Sequence, residues 1–173
     1  LPILLSNTTL EINQFINRLL ASNLGGGTVS AFSYSGTLSL FVTGTLSLSV
    51  VTIYYTEFSH ASSVSVNKEQ MTKLLSQSTL VIFALVLPVT VLTCFLAGDI
   101  VTIAYGRGAF SAQAVSLTAR CLFFYSIGFV FIVLKALYNK AFLAMRNSRV
   151  PMLVSFCEVC INIAVATLMA PRL

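Results

Sequence analysis

The chain has 173 residues, of which 57% are hydrophobic and only 9% are charged, and its formal net charge is +5. A soluble domain has about 25% charged residues, so this composition, with a mean hydropathy of +0.91, excludes an ordinary soluble protein. The basic residues lie at the ends of apolar segments, which indicates signals for membrane topology rather than a nucleic-acid surface.

The composition predicts an all-α fold, a polytopic transmembrane helix bundle that forms a single membrane domain over residues 1–173. Backbone polar groups in lipid must be paired internally, and uninterrupted apolar runs such as 80–97 exclude the alternating pattern of a β-barrel. A span needs about twenty apolar residues, so the chain holds about five. The predicted spans lie near residues 4–24, 29–54, 72–97, 112–145 and 150–170.

The first predicted span is the most polar. Five polar residues recur at steps of three and four, so they form one stripe on the helix. They are Asn7, Glu11, Gln14, Arg18 and Ser22. Asn13 and Asn17 lie on the opposite side. Polar groups on two sides predict contact with a water-filled cavity and with other helices.

The second and third spans differ in character. The second is rich in Gly, Ser and Thr, which is equally consistent with tight helix packing and with a cavity lining. A polar connector is predicted over 57–73, and its lone His60 is best explained as a solvated loop residue. The third span contains Pro88, which predicts a kink that could serve as a hinge or in packing. A loop is then predicted over 98–113.

The last two spans carry charges of their own. Arg120, Lys135 and Lys140 lie on the fourth, and Pro151 opens the fifth. Basic residues flank the 2–3 and 4–5 connections most strongly, which places both in the cytoplasm and the 3–4 connection outside.

No catalytic constellation is present, and we predict that the chain is not an enzyme. The five acidic residues are scattered, and no phosphate-binding glycine loop or metalloprotease motif occurs. The spacing of Cys157 and Cys160 is that of a redox or metal motif, but both lie in an apolar helix, where thiolate formation is disfavoured.

The charged and amide residues within the spans are the candidate functional groups. Arg18 could bind a phosphate or carboxylate, or could instead pair with Glu11 through Gln14. Glu158 and Asn162, one turn apart, could bind a small hard cation with a third oxygen from the first helix, or Glu158 could carry a proton. The alternative is an interhelical hydrogen bond. Lys135 could extend to the membrane surface or face a cavity as a cation for anionic lipid.

Five segments resemble the MurJ/MviN family of lipid II flippases, within the multidrug/oligosaccharidyl-lipid/polysaccharide exporter superfamily. They occur in the family's order over nearly the whole chain. They are TLEINQFINRLLAS at 9–22, GGTVSAFSY at 26–34, GRGAFSAQAVSLTA at 106–119, YSIG at 125–128 and KAFLAMRNSRVP at 140–151.

The resemblance implies a two-lobe transporter of fourteen helices, of which this chain would be helices seven to eleven, a fragment of the C-terminal lobe. It implies a multi-pass protein of the bacterial plasma (inner) membrane that moves the undecaprenyl-pyrophosphate-linked peptidoglycan precursor by alternating access. The implied partners are this lipid, membrane lipids and the missing N-terminal lobe, with no nucleic acid. No cofactor is implied beyond possible coupling to sodium ions or protons.

The resemblance also assigns candidate roles to residues. Substrate-binding candidates are Arg18, Glu11, Gln14 and Lys135, and candidates for cation or proton coupling are Glu158, Asn162 and Asn17. The chain departs from the family where many members carry a cavity arginine, since Thr37 stands there, and Leu40 replaces a following acidic residue. Alternative functions are export of another lipid-linked glycan or a cationic drug, and a non-transporting membrane scaffold.

Overall fold

The computed structural model describes residues 27–64, 68–108 and 110–169, and this part of the chain is helical, with no strand in it. Its helices, in chain order, are α1 (Thr28–Val64), α2 (Lys68–Tyr105), α3 (Ala112–Ile127), α4 (Phe129–Ala144) and α5 (Arg149–Met169). The predicted all-α class is therefore confirmed for the described residues. The predicted span near 4–24, with Glu11, Gln14, Asn17 and Arg18, lies outside them.

The helices have the length and apolarity that membrane spans require. Within the described ranges, α1 and α2 are each long and apolar enough to cross a bilayer. If α3 and α4, which are bent against each other, form a single span, the number of candidate spans in these ranges rises to three. The predicted span near 150–170 coincides with α5. The total of five spans stays a prediction, since the described helices do not test all of them.

The first two helices are longer than predicted. The expected connector over 57–73 is helical except at residues 65–67, which are not described, and the expected loop over 98–113 is helical as far as Tyr105. At 1.5 Å per residue, α2 is about 57 Å long, well beyond a hydrocarbon core of about 30 Å. Polar residues at its ends therefore mark where the helix leaves the hydrocarbon core and not where it unwinds. α2 also continues across Pro88.

The predicted fourth helix, 112–145, is instead two helices that meet at Gly128 with a bend of 47°. The Gly128 N–H donates to the Tyr125 carbonyl at 3.0 Å, three residues back, which tightens the last turn of α3. A Cβ on residue 128 would lie 3.2 Å from that same carbonyl oxygen. A residue without a side chain therefore fits this break best.

The α2–α3 loop depends on two glycines for different reasons. A Cβ on Gly106 would collide with the Thr102 carbonyl oxygen, to which the Gly106 N–H donates at 2.8 Å. Gly108 has φ of 65°, in the left-handed region that side chains disfavour. Ser111 then caps α3 by accepting a hydrogen bond from the Ala114 N–H at 3.2 Å. The loop is therefore short and closely defined by its sequence.

The core lies within α1–α4, where two groups of buried apolar residues stabilise the helix contacts. The larger joins α1, α2 and α4 around Phe58, Ile82 and Phe129, all fully buried. The smaller joins α2 and α3 through Val101 and Leu122. These residues belong to one compact unit, Ala31–Met145, and the described residues of a second unit are 27–30 and 146–169.

Candidate functional site

The start of α1 contacts α3 through the Phe32 and Tyr125 side chains. Ser35, Ser39 and Thr43 recur every fourth residue and are buried. The Phe32 ring lies 5.4 Å from the Tyr125 ring, measured between centroids. These buried hydroxyl residues are consistent with both interpretations of the span, tight helix packing and a cavity lining, since the backbone of α1 makes few close approaches to the other described helices.

The opposite side of α1 carries the two positions that depart from the family pattern. Thr37 is exposed, and its hydroxyl donates to the Ser33 carbonyl at 3.0 Å. Leu40 is 68% exposed. Both side chains therefore lie on surface that α2, α3 and α4 leave uncovered, where a cavity or another part of a membrane protein could meet them.

Polar pairs hold α2 against the bent α3–α4 pair. The Ser126 hydroxyl donates to the Phe123 carbonyl at 2.7 Å, so the Cys94 thiol, 3.0 Å from the Ser126 oxygen, is the donor in their contact. Closer to the other end of α2, the Thr79 and Tyr138 hydroxyls lie 3.3 Å apart. These two polar contacts between helices restrict the rotation of each helix about its own axis.

Aromatic residues join the helices near both ends. Tyr34 of α1 lies 4.8 Å from Tyr105 and 5.4 Å from Phe110, measured between ring centroids, beside the α2–α3 loop. Near the other end, the Lys140 ammonium lies 5.3 Å from the centre of the Tyr55 ring, a cation–π distance.

Lys135 is the predicted substrate-binding residue that the structure describes. It is half-buried near the middle of α4 and takes part in a polar interaction. It lies nine residues before the end of α4, which is about 14 Å along the helix. A lysine at that depth is costly in lipid and is a functional candidate for that reason.

Two of the three predicted coupling residues, Glu158 and Asn162, lie on one face of α5, and the third, Asn17, is outside the described residues. Ser155 is buried, and Glu158 and Asn162 follow at helical spacing and are half-buried. Glu158 takes part in a polar interaction. The Asn162 side-chain oxygen is buried and has no hydrogen-bond partner among the described residues, which leaves its lone pairs for a donor or a cation. In the described ranges no three His, Cys, Asp or Glu side chains cluster as metal ligands would.

A groove between α2 and α3 brings together charges that sequence reasoning kept apart. It has a volume of about 860 Å³ and is lined by Asp99 and Thr102 of α2 and by Ser116, Arg120 and Phe124 of α3, among others. Asp99 was assigned to a loop, and Arg120 was used only for membrane orientation. Asp99 lies seven residues, about two turns, before Gly106, and Arg120 lies in the next apolar helix. Neither pattern alone indicates that the two helix faces meet.

Long apolar helices that carry ionisable and amide side chains define the class: this is an α-helical membrane protein. The family model "Lipid II flippase MurJ" matches residues 1–173. The chain belongs to this family, as the resemblance predicted.

Several curated relatives agree with the family match. The "Probable lipid II flippase MurJ" of Buchnera aphidicola subsp. Acyrthosiphon pisum is 27% identical over 161 residues, which cover 93% of this chain and 31% of the relative. The "Lipid II flippase MurJ" of Burkholderia cenocepacia is 30% identical over 141 residues, or 82% of this chain and 27% of the relative. The Rhizobium meliloti relative is 25% identical over 173 residues, or 100% of this chain and 32% of its own length. The chain thus spans about three tenths of these relatives, and no solved structure matches it significantly.

Proposed function

We propose that this chain is part of a lipid II flippase, a transporter that moves the lipid-linked peptidoglycan precursor across the plasma membrane by alternating access. The observation that carries the proposal is the match of the MurJ family model along all 173 residues. The relatives are named as lipid II flippases, and lipid II is the substrate we propose for this chain. The chain would be about helices seven to eleven of a fourteen-helix, multi-pass protein, and an N-terminal lobe would complete the transport path.

In the proposed substrate site, positively charged side chains bind the pyrophosphate of the precursor. Arg18 would bind phosphate oxygens through its planar guanidinium, with Glu11 and Gln14 on the same stripe of the sequence holding it in place. Lys135 would add a second positive charge from α4. Its half-burial near the middle of that helix supports this role, since an ionisable side chain within an apolar helix is a functional candidate.

The proposed coupling site lies on α5. Glu158 and Asn162 offer oxygens on one helix face, and Asn17 would contribute a third from the first predicted helix. The Asn162 side-chain oxygen, which has no hydrogen-bond partner among residues 27–64, 68–108 and 110–169, supports the site, because a buried acceptor without a donor is a ready ligand for sodium. Moving one charge across the membrane supplies about 2.3 kcal/mol per 100 mV, enough to bias one state of a transporter over the other.

The departures at Thr37 and Leu40 favour a second candidate, an exporter of a different lipid-linked glycan. A cavity that lacks this arginine and the neighbouring carboxylate would hold fewer charges for the pyrophosphate and sugar. This candidate keeps the fold and the alternating-access mechanism and changes only the substrate.

Rescue of a flippase-depleted bacterium tests the proposal. A full-length protein that contains these 173 residues should restore growth and wall synthesis, and Arg18→Ala and Glu158→Gln should each abolish rescue at equal expression. Failure of the unaltered protein to rescue, when it is well expressed in the membrane, would contradict lipid II transport. Full rescue by both variants would contradict the roles proposed for Arg18 and Glu158, whereas failure to rescue together with normal membrane insertion would favour a non-transporting scaffold.

A further inference from the structure

The groove between α2 and α3 is a second candidate binding site, separate from the residues proposed for lipid II transport. Its volume of about 860 Å³ lies in the range of about 300–1,000 Å³ that small-ligand sites occupy. On α2 the groove residues are one turn apart, and on α3 they recur at helical spacing, so each helix contributes a single face.

The hydrogen-bond acceptors of the groove lie on one helix, and the positively charged donor lies on the other. Asp99 lies on α2 with Thr102, whose hydroxyl donates to the Gly98 carbonyl at 2.8 Å and so keeps its oxygen lone pairs as acceptors. Arg120 lies on α3 with Ser116. In the part of the chain that is described, Asp99 and Arg120 form no ion pair with each other, and both are exposed. The groove therefore presents a negative wall and a positive wall to a common space.

The polarity of the groove also changes along α3. Phe123 and Phe124, 42% and 71% exposed, follow Arg120 by about one turn in the direction away from the α2–α3 loop. One turn is about 5.4 Å. The charged part thus lies nearer the α2–α3 loop, and the aromatic part lies about one turn further from that loop. A lipid has the same order, with its headgroup at the membrane surface and its acyl chains inside.

We propose that this groove binds a zwitterionic phospholipid whose headgroup carries a primary ammonium group, as phosphatidylethanolamine does. Arg120 and Ser116 bind the phosphate, Asp99 and Thr102 accept hydrogen bonds from the ammonium, and the two phenylalanines contact the acyl chains. An anionic lipid such as phosphatidylglycerol would bring its phosphate to Arg120 but would offer Asp99 no positive charge, only neutral hydroxyl donors. A trimethylammonium headgroup would match the charge of Asp99 but has no N–H to donate.

Lipid binding to the purified 173-residue chain tests the proposal. The chain is transferred to detergent, and retention of dioleoyl phosphatidylethanolamine, phosphatidylcholine or phosphatidylglycerol is measured by native mass spectrometry in competition. We expect phosphatidylethanolamine to be favoured by about tenfold or more, the ratio that one additional charge-assisted hydrogen bond supplies. Equal or tighter retention of phosphatidylglycerol would overturn the proposal.

Two charge variants and a matched control locate the site. Arg120→Gln should lower retention of phosphatidylethanolamine about tenfold, since a hydrogen bond to a charged group is lost. Asp99→Asn should remove the preference over phosphatidylglycerol. Arg107→Gln removes a charge from the α2–α3 loop outside the groove lining and should change nothing. A loss with Arg107→Gln equal to that with Arg120→Gln would mean general attraction by charge and would overturn the proposal.

A filling variant tests the groove without removing a charge. A Cβ on Gly98, which lines the groove, or on Gly44 of α1 meets nothing within 4 Å. The backbone at both positions therefore accepts a side chain without a clash at Cβ, and helical content measured by circular dichroism verifies that each leucine variant folds. Gly98→Leu should reduce retention of the lipid and Gly44→Leu should not, and unchanged retention with Gly98→Leu would contradict the proposal. The binding measurement does not involve lipid II, so its failure would leave the proposed flippase function standing.

Discussion

Replacing Gly106 with alanine should destabilise the helix bundle strongly, although the change adds only one methyl group at an exposed loop. The new Cβ would collide with the Thr102 carbonyl oxygen, which accepts the hydrogen bond from the Gly106 N–H. Loss of that bond costs about 0.5–1.5 kcal/mol. Forcing the backbone into a less favourable conformation costs about 1–3 kcal/mol. The free energy of unfolding should therefore fall by roughly 2–4 kcal/mol.

Two other glycines serve as matched controls for this prediction. Gly108→Ala places a side chain at φ of 65° and should cost about 1–2 kcal/mol. Gly44→Ala lies within α1, where a Cβ meets nothing within 4 Å, and should stabilise the helix by about 0.5–1 kcal/mol.

The assay is unfolding of the purified chain in mixed micelles, with the mole fraction of sodium dodecyl sulfate raised stepwise and helix content followed by circular dichroism. The order of stability should be Gly44→Ala, the unaltered chain, Gly108→Ala and Gly106→Ala. If Gly106→Ala unfolds at the same mole fraction of sodium dodecyl sulfate as the unaltered chain, the close approach of residue 106 to Thr102 does not exist in the folded protein. If Gly44→Ala also destabilises, the contrast between open and crowded positions is wrong.

Three further predictions use the same unfolding measurement. Tyr55→Leu removes the ring that faces the Lys140 ammonium at 5.3 Å and should cost about 0.5–1 kcal/mol, an effect that disappears when Lys140 is already Gln. A double-mutant cycle of Cys94→Ala and Ser126→Ala should give a coupling free energy of about 0.6 kcal/mol, the average for hydrogen bonds between membrane helices, and a value of zero would contradict the 3.0 Å contact. Arg146→Gly should stabilise the chain by about 1 kcal/mol because residue 146 has φ of 56°, and a loss of stability would exclude that conformation.

The helical class was predictable because it follows from apolar content alone, and the start of α3 at Ala112 was predictable because Ser111 is a standard capping residue. The ends of the helices were not predictable from the sequence. Polar residues indicate where a helix reaches the membrane surface, whereas the end of a helix is determined by its hydrogen bonds. The break at Gly128 was missed because glycine is common inside membrane helices. What ends α3 there is a hydrogen bond three residues back, which the residue sequence alone does not specify.

The candidate functional residues were also predictable from the sequence only in part. Lys135, Glu158 and Asn162 could be selected from sequence because ionisable and amide groups within apolar runs are rare. The groove could not, because Asp99 and Arg120 are 21 positions apart and meet only when α2 and α3 pack as a hairpin. The residue pattern of one helix does not indicate which face of a neighbouring helix will pack against it.

Transport of lipid II itself is the measurement that tests the central proposal most directly. Cells depleted of their own flippase would express a full-length protein containing this chain, and lipid II on the outer face would be quantified by its cleavage with an externally added enzyme. We expect external lipid II to return with the unaltered protein and to remain absent with Arg18→Ala. Absence of external lipid II with the unaltered, membrane-inserted protein would contradict the proposal.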